Sequence, residues 1–532
     1  MPELIKELQK KEEEELAKVL SQKYNLPYLN LDKTTIELDA LKIIPEKDAR
    51  ENFIATVQTV GKKIQAAVTN PNTKGVKKIL EILKKQGYET KVYLSSKSGL
   101  NKVFEKYKEI PPFEEIKPGI VEVKSTETLN LKDIYKKIEK EEKNASFALE
   151  ILLSSAIGIE ASDIHIEPSE TDAKIRLRLD GVLHDLGIIS HELYKLLVSR
   201  IKLLSEVKLN IRDKAQDGRF TTRIEKTKED VETRTSFLPG PHGESIAMRL
   251  LLPQTTEMKT ENLGMQKDVL NLVEQELKKP NGMIITTGPT GSGKTTTLYA
   301  FLKKVASSEI KVITIEDPIE YHLPGVTQTQ IKPNKGYDFA NGLRSILRQD
   351  PDVILVGEIR DLETASTAMH AALTGHLVFS TLHTNNAAGT IPRLIDLGVK
   401  PNIISPAINI AVAQRLVRKL CEFCKKETSP SPEEEKTIKE NLPGQTSKKI
   451  KIYTANGCEK CNFTGYKGRT GIFEAFLVND EIERLILKNP PEADIKEAAQ
   501  HQGMVTIFQD GLLKVTKGIT SFEELNRVVS GD

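Results

Sequence analysis

Gly288-Pro289-Thr290-Gly291-Ser292-Gly293-Lys294-Thr295 fills every fixed position of the pattern G-x-x-x-x-G-K-[ST]. The apolar run MIITT stands just before it, and TTTLYAFLKKVA, with helical patterning, follows. A strand that turns through glycines straight into a helix belongs to parallel sheets covered by helices. The later apolar runs VITI, VILV and LVFST alternate with helix-like segments in the same way. The expected fold class is therefore α/β. Glycines let backbone N–H groups turn inward around phosphates, Lys294 reaches the β and γ groups, and the Thr295 hydroxyl is placed for Mg²⁺. Thr296 continues the first helical turn, whose N-terminus adds its positive dipole end. ATP or GTP binding follows, against the blander reading of a plain glycine turn.

Hydrolysis also needs a carboxylate near the γ-phosphate. Two strands offer one at their carboxyl ends, the edge where ligands gather in open parallel sheets. VITIEDPIEY supplies Glu316, Asp317 and Glu320; VILVGEIRD supplies Glu358. The second resembles a Walker B strand, except that Gly357 stands where an Mg²⁺-linked Asp is usual. A helix cap or solvated turn is the alternative role for any one of these acids.

A chain of 532 residues exceeds one ordinary domain of roughly 100–200 residues. Residues 1–105 read as a small α/β domain, and 106–143, with Pro111, Pro112 and Pro118, as a charged linker with a helical lead-in. Residues 144–255 alternate as a second mixed domain, and 256–532 form the largest, with 425–450 as a solvated Lys/Glu-rich insertion. No apolar run nears the roughly 20 residues that span a bilayer, and the first residues do not read as a secretory signal, so a cytoplasmic protein is expected. A net charge of +2, 5% aromatics and no Trp weigh against a nucleic-acid partner.

Cys421-x-x-Cys424 and Cys458-x-x-Cys461 make two close pairs, suited to one tetrahedral, structural Zn²⁺ within a module spanning 415–475. The 425–457 stretch between them is longer than in an ordinary zinc ribbon.

In their order and spacing, GPTGSGKT, ITIEDPIEY, DPDVILVGEIRD and TGHLVFSTLHTN resemble the Walker A, Asp box, Walker B and His box of the type II secretion and type IV pilus assembly ATPases. SDIHIEP, LRLDG, QDGR, HGESIAMRLL and GITSFEEL extend the resemblance over roughly 145–530. It implies a RecA-like ATPase domain, preceded by a PAS-like lobe that closes on ATP and by an N-terminal docking domain. It further implies a homo-hexameric ring, peripheral to the inner membrane, that meets a membrane platform protein and a cytoplasmic docking protein. By position, Glu316 and Glu358 would share water activation and Mg²⁺ organisation. His383 and His376 match the His box, and Arg219 and Arg234 match arginines that close over the nucleotide; Arg344 and Arg348 are weaker candidates for sensing or subunit contact. The family also has a tetracysteine module. The alternative is a P-loop nucleic-acid motor or DNA-transfer ATPase. Some relatives bind cyclic-di-GMP through an Arg-Leu-Gly helix motif; here EEEELAKVLSQKYNLPYL puts acids in that place, so no such binding and a protein-docking role are expected.

Overall fold

Strands buried at every residue need cover on both faces, and β-strands such as Gly282–Thr287, Val312–Glu316 and Leu377–Leu382 are of that kind. The structure is a computed structural model that describes residues 2–60, 62–85, 87–109, 119–126, 129–141, 144–252, 259–442 and 450–529. Two units are separate bodies, residues 1–116 and 117–532. Strands are numbered along the chain.

In the first unit, β1 (Ile54–Val60) pairs antiparallel with β2 (Lys63–Val68), and β2 pairs parallel with β3 (Glu89–Leu94). The crossover helix Lys74–Lys85 buries Val76, Ile79 and Leu83, one face at helical spacing. Within the first helix, Pro2–Tyr24, two of the acids bond to the rest of this unit. Glu13 accepts from the Ser98 N–H at 2.8 Å, and Glu14 accepts from the hydroxyls of Ser96 and Tyr28.

The second unit opens with a seven-stranded sheet in the order β4-β8-β9-β10-β5-β6-β7. Its strands are β4 (Ile120–Val123), β5 (Asp163–Pro168), β6 (Asp172–Leu179), β7 (Val182–Ser190), β8 (Gln216–Ile224), β9 (Glu229–Gly240) and β10 (Gly243–Leu251). Only β4 with β8 is parallel. Along β6 and β10 burial alternates with period two, so one face is core and the other open. The core face packs Ile164, Ile175, Phe237 and Met248 with Leu152 and Ile201 of two helices. The stretch 106–143, expected as a charged linker with a helical lead-in, holds that helix and, beyond the expectation, an edge strand. Val121 and Val123 on β4 and Ile134 and Ile138 on the helix Leu131–Glu139 join this core. Two apolar pairs, at strand and helix spacing, suffice to hold an edge strand and one helix face amid many charges. Pro111, Pro112 and Pro118 lie outside the described residues.

The third sheet runs β13-β12-β14-β15-β11-β16-β19. Its members are β11 (Gly282–Thr287), β12 (Val312–Glu316), β13 (Thr327–Gln330), β14 (Val353–Val356), β15 (Leu377–Leu382), β16 (Ile408–Leu420) and β19 (Tyr466–Leu477). All pairs are parallel except β16 with β19. Alternate residues feed two cores: Ile285, Ile315, Val356 and Val378 on one side, and Ile284, Val312, Leu355 and Phe379 on the other. Between β16 and β19 a ribbon of β17 (Lys425–Thr428) and β18 (Ile452–Ala455) carries the cysteine pairs. Among the described residues of 425–450, Ile438 of the capped helix Pro432–Asn441 and Ile450 are buried in the sheet's core, which is less solvation than expected there. No helix among the described residues is long and apolar enough to cross a membrane.

Candidate functional site

β11 ends at Thr287, and the helix Lys294–Val305 begins within the glycine loop. The turn demands glycine for two reasons. Gly293 has φ +87°, and a Cβ on Gly288 would lie 2.4 Å from the Gln414 carbonyl oxygen. Pro289, Thr290, Gly291 and Thr295 are exposed on the rim, whereas Ser292 and Lys294 are buried. Lys294 Nζ donates to the carbonyls of Gly288 at 2.7 Å and Pro289 at 3.1 Å. Burial pushes its pKa down, with the Glu358 charge opposing. Thr296, half-buried, bonds to Tyr321.

The two candidate glutamates have different surroundings. Glu316 ends β12, is 3% exposed, and accepts from the hydroxyls of Tyr299 and Thr314 and from Gln328 Nε2 at 3.2 Å. Burial first, then the Glu316 charge, pushes the Tyr299 hydroxyl pKa up. Glu358 follows β14, with Arg360 at 2.5 Å and His383 Nε2 at 3.5 Å. Its charge acts on both Lys294 and His383. Glu358, Lys294 and His383 thus converge, while the Glu316 carboxylate is taken up by three donors. Gly357 leaves little room for a carboxylate: a Cβ there would meet the Ile315 carbonyl oxygen at 3.2 Å and Glu316 Cα at 3.4 Å.

His383 and His376 flank the six-residue β15 and so stand about 23 Å apart along the strand. His383 lies at the carboxyl edge, where the Thr384 N–H donates to Thr287 Oγ1 at 2.9 Å and ties the His loop to the end of β11. Burial, then the Lys294 charge, pushes the His383 pKa down against Glu358. His376 is at the opposite edge, with Nδ1 2.9 Å from the Ala371 carbonyl oxygen, and the structure does not bring it to the glycine loop.

From the second domain, Arg234 reaches the Asp-box segment, donating to Glu320 at 3.0 Å and to the Ile319 carbonyl at 2.7 Å. Arg219 is exposed and directly opposite Arg234, which in turn is opposite Arg249. Like charges opposed across strands destabilise a sheet. Asp163 relieves one end of this row, pairing with Arg249 at 3.0 Å and Arg178 at 3.2 Å. Arg344 pairs with Glu363 and Asn341, and Arg348 with Ser345; neither is placed among the loop's partners. Asp317 follows β12 directly, in a bend with Pro318.

The sulfurs of Cys421, Cys424, Cys458 and Cys461 lie within 4.8 Å of one another, with separations of 3.8 Å (Cys421–Cys458), 3.9 Å (Cys424–Cys461) and 3.8 Å (Cys458–Cys461). A disulfide needs about 2.05 Å. A tetrahedron with metal–sulfur bonds of about 2.3 Å has edges of about 3.8 Å, which these separations match. The four residues can hold a metal ion.

Sequence reasoning missed Gln414, Tyr299, Gln328 and Arg360. Gln414 did leave a trace, an amide directly after the apolar run Ile410–Ala413.

A family model described as Type II/IV secretion system protein matches residues 139–527. The type IV pilus assembly ATPase PilB of Myxococcus xanthus is 35% identical over 97% of this chain and 91% of its own length. The type II secretion system ATPase E of Vibrio cholerae is 46% identical over 71% of this chain and 74% of its own. The X-ray structure of the Legionella pneumophila ATPase DotB shares the fold, at 23% identity and a TM-score of 0.53, over 72% of this chain and 95% of that one. With a glycine loop, a convergent Lys–Glu–His set and a tetracysteine cluster already in place, these matches establish that the chain belongs to the type II/IV secretion system ATPase family.

Proposed function

We propose that the chain is an ATP-hydrolysing motor, working as a homo-hexamer on the cytoplasmic side of the inner membrane, that drives assembly of a type IV pilus or a type II secretion pseudopilus. The observation that carries the chemistry is the convergence of Lys294, Glu358 and His383 at the Gly288–Thr295 loop. The pilus-assembly and secretion relatives support a filament motor over a nucleic-acid motor.

The residues fit Mg²⁺-bound ATP. The buried Lys294 ammonium offers the only charge complementary to phosphate within the loop itself, and the N–H groups of residues 291–295 open the helix N-terminus. Thr295 and Thr296 supply hydroxyls, of which Thr295 would hold Mg²⁺, and the ion would supply charge neutralisation for the phosphates. Glu358 orients water for attack on the γ-phosphorus and accepts its proton as the bond to the β-phosphate oxygen breaks, giving ADP and phosphate. Glu316, held by three donors, shapes the pocket and would contribute negative charge toward an Mg²⁺ ion at the loop. His383, kept neutral, bonds to Glu358 and reports the nucleotide to the His loop. Arg234 and Arg219 meet the charge that grows on the γ-phosphoryl oxygens; Arg234 leaves Glu320 to do so. The four cysteines would hold Zn²⁺ in a structural role, since four thiolates would complete its coordination. The 1–105 domain docks protein partners, with no cyclic-di-GMP site.

The test is phosphate release from Mg²⁺–ATP by the purified chain, with its assembly state measured by light scattering. Turnover by a ring-sized species is expected. Absence of turnover in an assembled, folded protein, or turnover only with single-stranded DNA, would overturn the reading.

A further inference from the structure

We propose that Gln414, on β16, is a positioning residue that sets the phosphate-facing geometry of the glycine loop; the inference rests on the nucleotide reading above. Gln414 is 2% exposed and belongs to a strand paired in parallel register with β11, Thr287 opposite Ala413. Its amide bridges two parts of the loop–helix junction. Nε2 donates to the Ser292 carbonyl at 2.8 Å, and Oε1 accepts from the Thr297 hydroxyl at 2.7 Å. The loop is also pressed onto this residue, since a Cβ on Gly293 would lie 2.8 Å from Gln414 Nε2.

A trans peptide unit points its C=O and N–H in opposite directions. Anchoring the Ser292 carbonyl to Gln414 therefore turns the N–H of Gly293 the other way, toward the concave side where phosphate oxygens are bound. Gly293 has φ +87° and no side chain, so without the anchor this peptide plane has wide freedom to rotate. The Thr297 hydroxyl fixes which way the amide faces: with Oε1 engaged, Nε2 is left for Ser292. Gln414 touches no substrate. It acts through the loop, and its loss is a loss of preorganisation.

The test uses the full chain with ADP, titrated by calorimetry, and steady-state turnover with ATP. Gln414→Leu keeps the volume and removes both bonds; Gln414→Glu keeps the acceptor for Thr297 but has no hydrogen to give Ser292. Both should weaken ADP by about tenfold, the scale of one net hydrogen bond to a binding loop, and raise KM by a similar factor. The kcat at saturating ATP should change less than threefold, because the interaction lost is made equally in the ground and transition states. A purely structural Gln414 would lower the unfolding temperature of the ligand-free protein with ADP affinity and KM within twofold of wild type, and that result overturns the proposal. Should Gln414→Leu fail to fold, Thr297→Val, which removes only the hydroxyl that orients the amide, is expected to weaken ADP about threefold; unchanged affinity there overturns it equally. Wild-type protein that binds no ADP would instead bring down the nucleotide reading, which keeps the two failures distinct.

Discussion

Glu358→Gln and Glu316→Gln are near-isosteric changes that the structure says will fail differently. Glu358 is 16% exposed, faces Arg360 at 2.5 Å and His383 at 3.5 Å, and sits within electrostatic reach of Lys294. Its replacement removes the proposed proton acceptor, and a positioned general base contributes about 10²–10⁴-fold in rate. ADP affinity should hardly move. Glu316 accepts from Tyr299, Thr314 and Gln328 in a fully buried setting. An amide there turns one acceptor into a donor facing donors, which costs about 1–3 kcal/mol of stability for a buried group left unsatisfied. The expected pattern is a collapse of kcat in Glu358→Gln at near-wild-type unfolding temperature, and a lowered unfolding temperature with a milder fall in kcat in Glu316→Gln. Steady-state phosphate release, ADP calorimetry and thermal unfolding on the same preparations read all three quantities. The reasoning is refuted if Glu358→Gln keeps more than a third of wild-type kcat. It is equally refuted if Glu316→Gln abolishes turnover with stability intact.

Arg234→Ala should lower kcat much more than ATP affinity, by up to about 10³-fold if it acts as a mobile arginine. Glu320→Ala, which releases Arg234, should spare kcat. Steady-state kinetics with separately measured affinity distinguish the two. Cys421→Ser or Cys458→Ser should lose one equivalent of zinc by metal analysis and raise hydrogen exchange across 415–475, while ADP binding persists. The His383 pKa is lowered in the folded state, so the unfolded chain binds the extra proton more readily. Stability should therefore fall as pH drops through the ordinary histidine value of about 6.5 toward the lower folded value, and His383→Gln should flatten that part of the profile in denaturant titrations.

What the sequence made legible was what it wrote locally. The glycine loop, the cysteine pairs and the acids at strand ends each lie within a few residues of the feature that explains them. Gln414 was not legible as a partner of Ser292 and Thr297, because the contact exists only once β16 lies beside β11. The two His-box histidines are close in sequence, yet a strand between them puts one at each edge of the sheet, and only His383 has Thr384 to tie its loop to Thr287. Within 106–143 the helical lead-in was legible but β4 was not, because Val121 and Val123 are core residues only against strands distant in sequence.

The central claim is that ATP is hydrolysed at the Gly288–Thr295 loop, and Lys294→Ala tests it most directly. Lys294 is the buried cation of that loop, held by the carbonyls of Gly288 and Pro289. Phosphate release should fall to background in Lys294→Ala while the ligand-free protein unfolds near the wild-type temperature. Turnover near the wild-type rate in the folded variant would contradict the account.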